Sequence, residues 1–150
     1  MGAASRTKGQ SGERELAALL ASLTGHDVRR RVRNHRGDDD LVGLPGWGLE
    51  CKRYRAAPPA LVAQWWQQAL AQALATECEP VLFYRADRGQ WRAVWRAQLV
   101  LAQSVHHQPD LAAGATIEAD PATWWALCSH TGRPGASADR GRGLPCLPPM

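Results

Sequence analysis

The hydrophobic positions near the start of the chain recur with the spacing of a helix. Within residues 11–24, four leucines stand at i, i+3, i+4 and i+7: Leu16, Leu19, Leu20 and Leu23. This pattern predicts an amphipathic helix with a single apolar stripe. Ser11 has a side chain that commonly caps a helix N-terminus, so we expect the helix to begin there.

Beyond this helix, short apolar runs alternate with turn residues. Strands are predicted at about 27–33, 40–43 and 47–52. A helix at about 59–76 separates them from a hairpin formed by VLFYR and WRAVW. A short helix, a short strand and a last helix follow, at 97–103, 115–118 and after Asp120. We therefore predict an α/β fold, in which a mixed β-sheet is flanked by helices.

Length and composition fit one globular domain. The chain has 150 residues and a mass of 16.4 kDa, enough for one hydrophobic core. We expect a flexible arm at 1–10, the domain at 11–130 and a disordered tail at 131–150, because the tail is rich in glycine, proline and arginine. The widely spaced cysteines and the lack of a leader or long apolar run predict a cytoplasmic protein without membrane attachment.

The strongest candidate chemistry lies in the segment DDDLVGLPGWGLECKRY. If residues 47–52 form a strand, Glu50 and Lys52 share one face, and Leu49 and Cys51 share the other. Together with Asp40, two carboxylates and a lysine suit phosphodiester hydrolysis with a divalent metal, since Mg²⁺ prefers oxygen ligands. Solvated strand faces also carry such charged pairs, so the spacing alone does not decide.

Two glutamates of the predicted first helix are further candidates. Glu13 lies about 70° and Glu15 about 90° from the centre of the leucine stripe at 100° per residue. Both therefore flank the packed face, and helical geometry does not choose between them. Complementing the helix dipole is an equally good explanation for a glutamate in the first turn.

The basic residues are unevenly distributed. The net charge is +4 and the sequence pI is about 9.2. Five arginines fall within eight residues, at Arg29, Arg30, Arg31, Arg33 and Arg36. Such a run is typical of contact with a phosphate backbone, although a solvated strand or loop can have the same composition.

Four segments together resemble a known nuclease family. KGQSGERELAALL, GHDVRRR, DDLVGL and LECKR are similar to the core of the archaeal Holliday-junction resolvases, within the PD-(D/E)XK superfamily, and to small phage-encoded nucleases of that superfamily. The resemblance covers roughly residues 8–95 and implies a restriction-endonuclease-like fold. It implies that Glu13, Asp40 and Glu50 hold Mg²⁺, with Mn²⁺ as a substitute, and that Lys52 assists the attacking water.

The match has one departure and one partial extension. Position 39 is Asp rather than the proline of the motif name, so Asp38 or Asp39 remains an alternative to Asp40. Some exonucleases of the superfamily carry Gln-x-x-x-Tyr in the helix after the lysine. Here that helix has Gln68 and Gln72, which are therefore possible accessory residues or simply polar positions beside the packed face.

The resemblance also implies a substrate and an assembly. Arg53 and Arg55 would join the arginine run in binding DNA phosphates, and a homodimer would cut branched or double-stranded DNA in recombination, in a host cytoplasm if the protein is phage-encoded. Two alternatives stay open: a general or end-dependent nuclease of recombination or restriction, and an inactive DNA-binding protein. The pairs Trp65-Trp66 and Trp124-Trp125 could stack on unpaired bases or pack in the core.

Overall fold

The computed structural model describes residues 3–32, 40–101 and 114–129, with side chains described from residue 9. In chain order these ranges contain the following elements: α1 (Ala3–Thr24), β1 (Arg29–Arg30), β2 (Leu41–Val42), β3 (Trp47–Tyr54), α2 (Pro59–Thr76), β4 (Glu79–Ala86), β5 (Arg92–Arg96), α3 (Gln98–Leu101), β6 (Thr116–Ala119) and α4 (Pro121–Cys128).

The six strands form one sheet whose order follows the chain, from β1 at one edge to β6 at the other. Strands β3 and β4 are parallel, and every other neighbouring pair is antiparallel. Parallel neighbours require a crossover connection, which is α2. The predicted α/β fold with a mixed sheet and flanking helices is confirmed.

Helices cover both faces of this sheet. One core lies between the sheet and the helices α1 and α4, and it includes Leu49 and Cys51 of β3. A smaller core lies under α2 and includes Leu82 of β4. Glu50 is the register partner of Leu82, and paired residues of neighbouring strands share a face. Glu50 therefore faces α2, as the predicted alternation requires.

The first helix differs from its prediction in two respects. It begins at Ala3, so Ser11 is not its cap, and residues 3–10 extend the helix where we expected an arm. That segment has no proline and is mostly good helix formers. The buried face of the helix is also rotated relative to the predicted leucine stripe. Leu16, Ala17 and Leu20 are buried, whereas Leu19 is 39% exposed.

Several other predicted features are confirmed. Helix α2 has the predicted bounds, and Asp120 caps α4 by accepting a hydrogen bond of 2.9 Å from the Thr123 N–H. Trp65, Trp66 and Trp124 are buried in the two cores, and Trp125 packs against the first, so these tryptophans pack rather than stack on bases.

None of the helices in the described ranges is long and apolar enough to cross a bilayer. The expected tail at 131–150 lies outside those ranges.

Gly43, just after β2, has a backbone conformation that a side chain would disturb. Its φ is +108°, and an added Cβ would lie 2.0 Å from the carbonyl oxygen of Asp27. We expect Gly43→Ala to lower the free energy of unfolding by about 2–4 kcal/mol, measured by urea denaturation. Gly25→Ala is the matched control, because Gly25 has a φ of +74° with nothing within 4 Å and should lose only about 1–2 kcal/mol. Equal losses in the two variants would contradict this explanation.

Candidate active site

Asp40 is fixed at the point where β2 approaches β3. The next residue, Leu41, is the register partner of Leu49. The backbone N–H of Asp40 donates to the Leu49 carbonyl oxygen at 3.1 Å. The Asp40 Oδ2 accepts a hydrogen bond of 2.8 Å from the backbone N–H of Cys51. This carboxylate is therefore held against the peptide that follows Glu50, and it is only 1% exposed.

Glu50 and Lys52 form an ion pair on the face of β3 toward α2. The Lys52 Nζ lies 2.6 Å from the Glu50 Oε1. The Glu50 carboxylate is 1% exposed, and its Oε2 has no hydrogen-bond partner within the described ranges. The proposal that this pair lies on a solvated strand face is therefore wrong for Glu50, because α2 and the second core cover that face.

Burying two carboxylates with only one lysine lowers the stability of the folded protein unless another positive charge is present. Removing a charge from water costs several kcal/mol unless opposite charges and hydrogen bonds compensate it. A hard divalent cation would provide that compensation, and one or two carboxylates suffice for Mg²⁺ when substrate oxygens and water complete the coordination. Asp40 and Glu50 fit this requirement. Across the described ranges, no group of three or more Asp, Glu, His or Cys residues is close enough to form a ready-made ligand set.

Glu13 and Glu15, which helical geometry left equivalent, have different surroundings. Glu15 accepts hydrogen bonds from the Arg85 guanidinium and from the Trp91 Nε1, the latter at 3.0 Å, and lies 3.5 Å from the Arg53 Nη1. Its carboxylate thus ties α1 to β3, β4 and the residue before β5. Glu13 forms an ion pair with Arg30 of β1. The structure therefore gives Glu15 a structural task and leaves Glu13 as the candidate of the two.

The pKa of the Cys51 thiol is affected by burial and by the carboxylates near β3. Burial raises the pKa of its thiol, and the negative charges of Glu13 and Glu50 raise that pKa further. The thiol therefore stays protonated at neutral pH and is not available as a thiolate ligand or nucleophile. Since Glu13 contributes, its carboxylate lies within electrostatic range of the strand that carries Glu50.

The predicted DNA-binding arginines fall into three groups. Arg29 and Arg55 are exposed, with Arg29 at 3.7 Å from Asp27, and Arg31 is partly buried. Arg30 and Arg53 are partly buried and paired with α1 residues, Glu13 and Glu15. Arg33, Arg36 and the alternative ligands Asp38 and Asp39 lie outside the described ranges. Contact with DNA remains a prediction for all of them.

The two glutamines of α2 occupy different environments. Gln68 is exposed and Gln72 is partly buried. Neither has a hydrogen bond to Asp40, Glu50 or Lys52 among the described contacts. Their accessory role remains a prediction that these contacts do not support.

Sequence patterns missed two polar clusters. One is the set of groups around Glu15. The other joins the Tyr84 hydroxyl to Glu118 at 2.7 Å and Arg92 to the same carboxylate at 3.0 Å. Both link residues more than twenty positions apart, so no local period reveals them. The one available signal was an arginine, Arg85, directly after a buried apolar run, since a charge in that position needs a partner.

Comparison with known proteins assigns the chain to a family. Residues 4–123 match the profile of the family described as "Phage putative PDDEXK endonuclease". The chain belongs to this PDDEXK endonuclease family. Among solved structures, this chain is similar to Hjc of Archaeoglobus fulgidus, a Holliday junction resolvase from an archaeal hyperthermophile. The two share 18% identity with a TM-score of 0.44 over 78% of this chain and 87% of that chain. No curated protein matches the chain.

Membership of the family confirms the predicted superfamily, while the roles of individual residues remain predictions. In this chain the residues predicted for the D and E-x-K positions lie where β2 approaches β3. Asp40 accepts a hydrogen bond from the peptide N–H that follows Glu50, and Lys52 forms an ion pair with Glu50. Glu13 lies on α1 and forms an ion pair with Arg30 of β1.

The contacts of Glu15 predict a large effect on stability. We expect Glu15→Ala to lower the free energy of unfolding by about 2–3 kcal/mol, because it leaves Arg85, Arg53 and the Trp91 N–H without their acceptor in a partly buried site. Arg14→Ala, an exposed neighbour on the same helix, should change it by less than about 0.5 kcal/mol. Urea denaturation compares the two, and a loss below 0.5 kcal/mol for Glu15→Ala would show that the cluster contributes little.

Proposed function

We propose that this protein is a Mg²⁺-dependent DNA endonuclease whose site is formed by Asp40, Glu50 and Lys52. One observation supports this most directly: Asp40 and Glu50, each 1% exposed, lie where β2 approaches β3. The Asp40 carboxylate accepts from the peptide N–H that follows Glu50, and a lysine amine lies 2.6 Å from the Glu50 carboxylate. A fold seldom keeps two buried acids for stability, because their desolvation opposes folding. A requirement for chemistry explains their presence.

Each residue would have a separate task. Asp40 is oriented by the backbone N–H of Cys51, so one of its oxygens is held in place before substrate arrives. Glu50 offers Oε2, which no described residue occupies. Lys52 would hold and orient the attacking water and offset the charge that develops on the phosphate. A bound divalent cation would supply Lewis acidity and a water of lowered pKa.

DNA would be held by the positive surface near this site. The exposed arginines Arg29 and Arg55 are the first candidates for phosphate contacts. Glu13 would join the metal site from α1. Arg30 is paired with Glu13, so its availability to phosphate depends on that pair opening.

The preferred substrate within this proposal is branched DNA, cut by a homodimer. It is supported by the sequence resemblance of residues 8–95 to the Holliday-junction resolvases and by the need for two sites to cut two strands symmetrically. A general or end-dependent DNA nuclease is the alternative, because one fold supports many nuclease reactions. A protein that binds DNA without cutting it is the alternative from another class.

Cleavage assays on three DNA substrates test the reaction and its specificity. With Mg²⁺, we expect the wild-type protein to cut four-way junctions faster than linear duplexes or single strands of the same sequence. Asp40→Asn and Lys52→Ala should each lower the rate at least about 100-fold while DNA affinity changes little, because they alter charge stabilisation rather than phosphate contacts.

The matched control for these variants is an exposed acid outside the site, Glu77 at the end of α2. Glu77→Gln should cut like the wild type. Cleavage by Asp40→Asn or Lys52→Ala at the wild-type rate would refute the catalytic assignment. Binding of DNA without cleavage in either Mg²⁺ or Mn²⁺ would support the inactive protein, and equal cutting of all three substrates would support the general nuclease.

Metal binding has a readout that does not require cleavage. In the absence of DNA, Mg²⁺ at about 100 times its Kd should stabilise the wild-type protein by about 2.7 kcal/mol. Thermal unfolding should therefore shift upward by several degrees. Glu50→Gln should remove most of this shift, and Glu77→Gln should retain it. An equal shift in Glu50→Gln and the wild type would place the metal elsewhere.

A further inference from the structure

An aromatic side chain follows the proposed site along β3. Tyr54 ends β3, two residues beyond Lys52, so both side chains leave the same face of the strand about 6.6 Å apart along it. Tyr54 is 44% exposed. It is the one aromatic residue among the exposed large hydrophobic side chains of the described ranges. A DNA strand whose phosphate is held at Lys52 would therefore pass within reach of this partly exposed ring.

The Tyr54 ring is supported from behind by ordered neighbours. Its centroid lies 4.8 Å from that of Trp65 at an interplanar angle of 44°, and Trp65 in turn lies 6.0 Å from Tyr84. Trp65 is a buried residue of α2. The Tyr84 hydroxyl donates to Glu118, and burial and this hydrogen bond raise the pKa of Tyr84 to about 12. Tyr54 is thus one end of an aromatic row whose middle ring, Trp65, is buried and whose other end, Tyr84, is fixed by a hydrogen bond.

The exposed face of such a row suits a planar partner. The ring is already packed against Trp65, so binding would immobilise little additional side-chain freedom. Every nucleobase has a π-face that can stack on an aromatic ring, regardless of its identity. In a continuous duplex, however, each base is stacked on both sides by its neighbours. A base becomes accessible to Tyr54 only where stacking is interrupted, at a junction, an end or a single strand.

We propose that Tyr54 is a stacking site for an unpaired base next to the phosphate that is cut. This inference rests on the proposed function, since it takes Lys52 as the position of the scissile phosphate. It deepens that function by naming the substrate class: DNA in which at least one base beside the cleavage position is unstacked. The site thereby selects DNA by its local structure rather than by its sequence.

The test uses DNA whose stacking can be observed without cleavage. A duplex with a single-stranded arm carries one 2-aminopurine at the branch, and a continuous duplex of the same sequence carries it internally. EDTA prevents cutting. We expect the wild-type protein to quench the fluorescence of the branch probe on binding and to prefer the branched DNA. Tyr54→Leu, which keeps an apolar contact with Trp65, should lose the quenching and lower that preference about 5- to 100-fold.

Two further variants complete the comparison. Tyr54→Phe keeps the ring and should retain both quenching and preference. Leu74→Ala, an exposed apolar residue of α2, should behave like the wild type. Circular dichroism of each variant establishes that it is folded. Quenching that persists in Tyr54→Leu, or equal loss of affinity for branched and continuous DNA, would overturn the inference.

The experiments distinguish failure of the stacking proposal from failure of the nuclease proposal. A wild-type protein that cuts no DNA but shows Tyr54-dependent quenching would keep the stacking site and refute the nuclease. A protein that cuts DNA in a manner dependent on Lys52, with no change in quenching or selectivity in Tyr54→Leu, would keep the nuclease and refute the stacking site.

Discussion

The hydrogen bond from the Cys51 backbone N–H to the Asp40 carboxylate is the interaction on which the site depends. It replaces part of the backbone pairing between two strands with a contact to a side chain, and it does so where β2 has only two residues. The same bond ties the residue before β2 to β3, orients the Asp40 carboxylate and holds it against the peptide that follows Glu50. Structure and candidate chemistry therefore share one contact, and a substitution that removes the acceptor at Asp40 affects both.

Much of the fold could be predicted because its signals are local. The bounds of α2 follow from Pro59 and an uninterrupted helical run, and β3 follows from a turn and an alternating pattern. The error at α1 has a different origin. Leucine spacing identifies a helix but does not weigh a buried alanine against an exposed leucine, and Ala17 rather than Leu19 packs against the sheet. The start of that helix was missed because a serine inside a helix has the same sequence signature as a cap.

The site was predictable in its composition and less so in its contacts. The acids and the lysine were identified from their spacing and from a family resemblance, and the structure brings Asp40, Glu50 and Lys52 together. It also separates Glu15 from Glu13, which no helical angle could do, because the partners of Glu15 lie on β3, on β4 and just before β5. The pairing of Arg30 with Glu13 was likewise inaccessible, since it depends on how α1 lies over β1. Ion pairs between residues far apart in the sequence leave no periodic pattern by which they could be predicted.

The position of β1 gives its arginines a second physical consequence. This strand is the edge of the sheet and has only two residues, Arg29 and Arg30. An edge strand exposes unpaired backbone groups that can recruit the edge of another sheet, and short, charged edges prevent that pairing. The cations that would attract a polyanion thus also keep copies of the protein from joining edge to edge. Replacing Arg29 and Arg30 by neutral residues would therefore favour aggregation as well as weaken binding to nucleic acid.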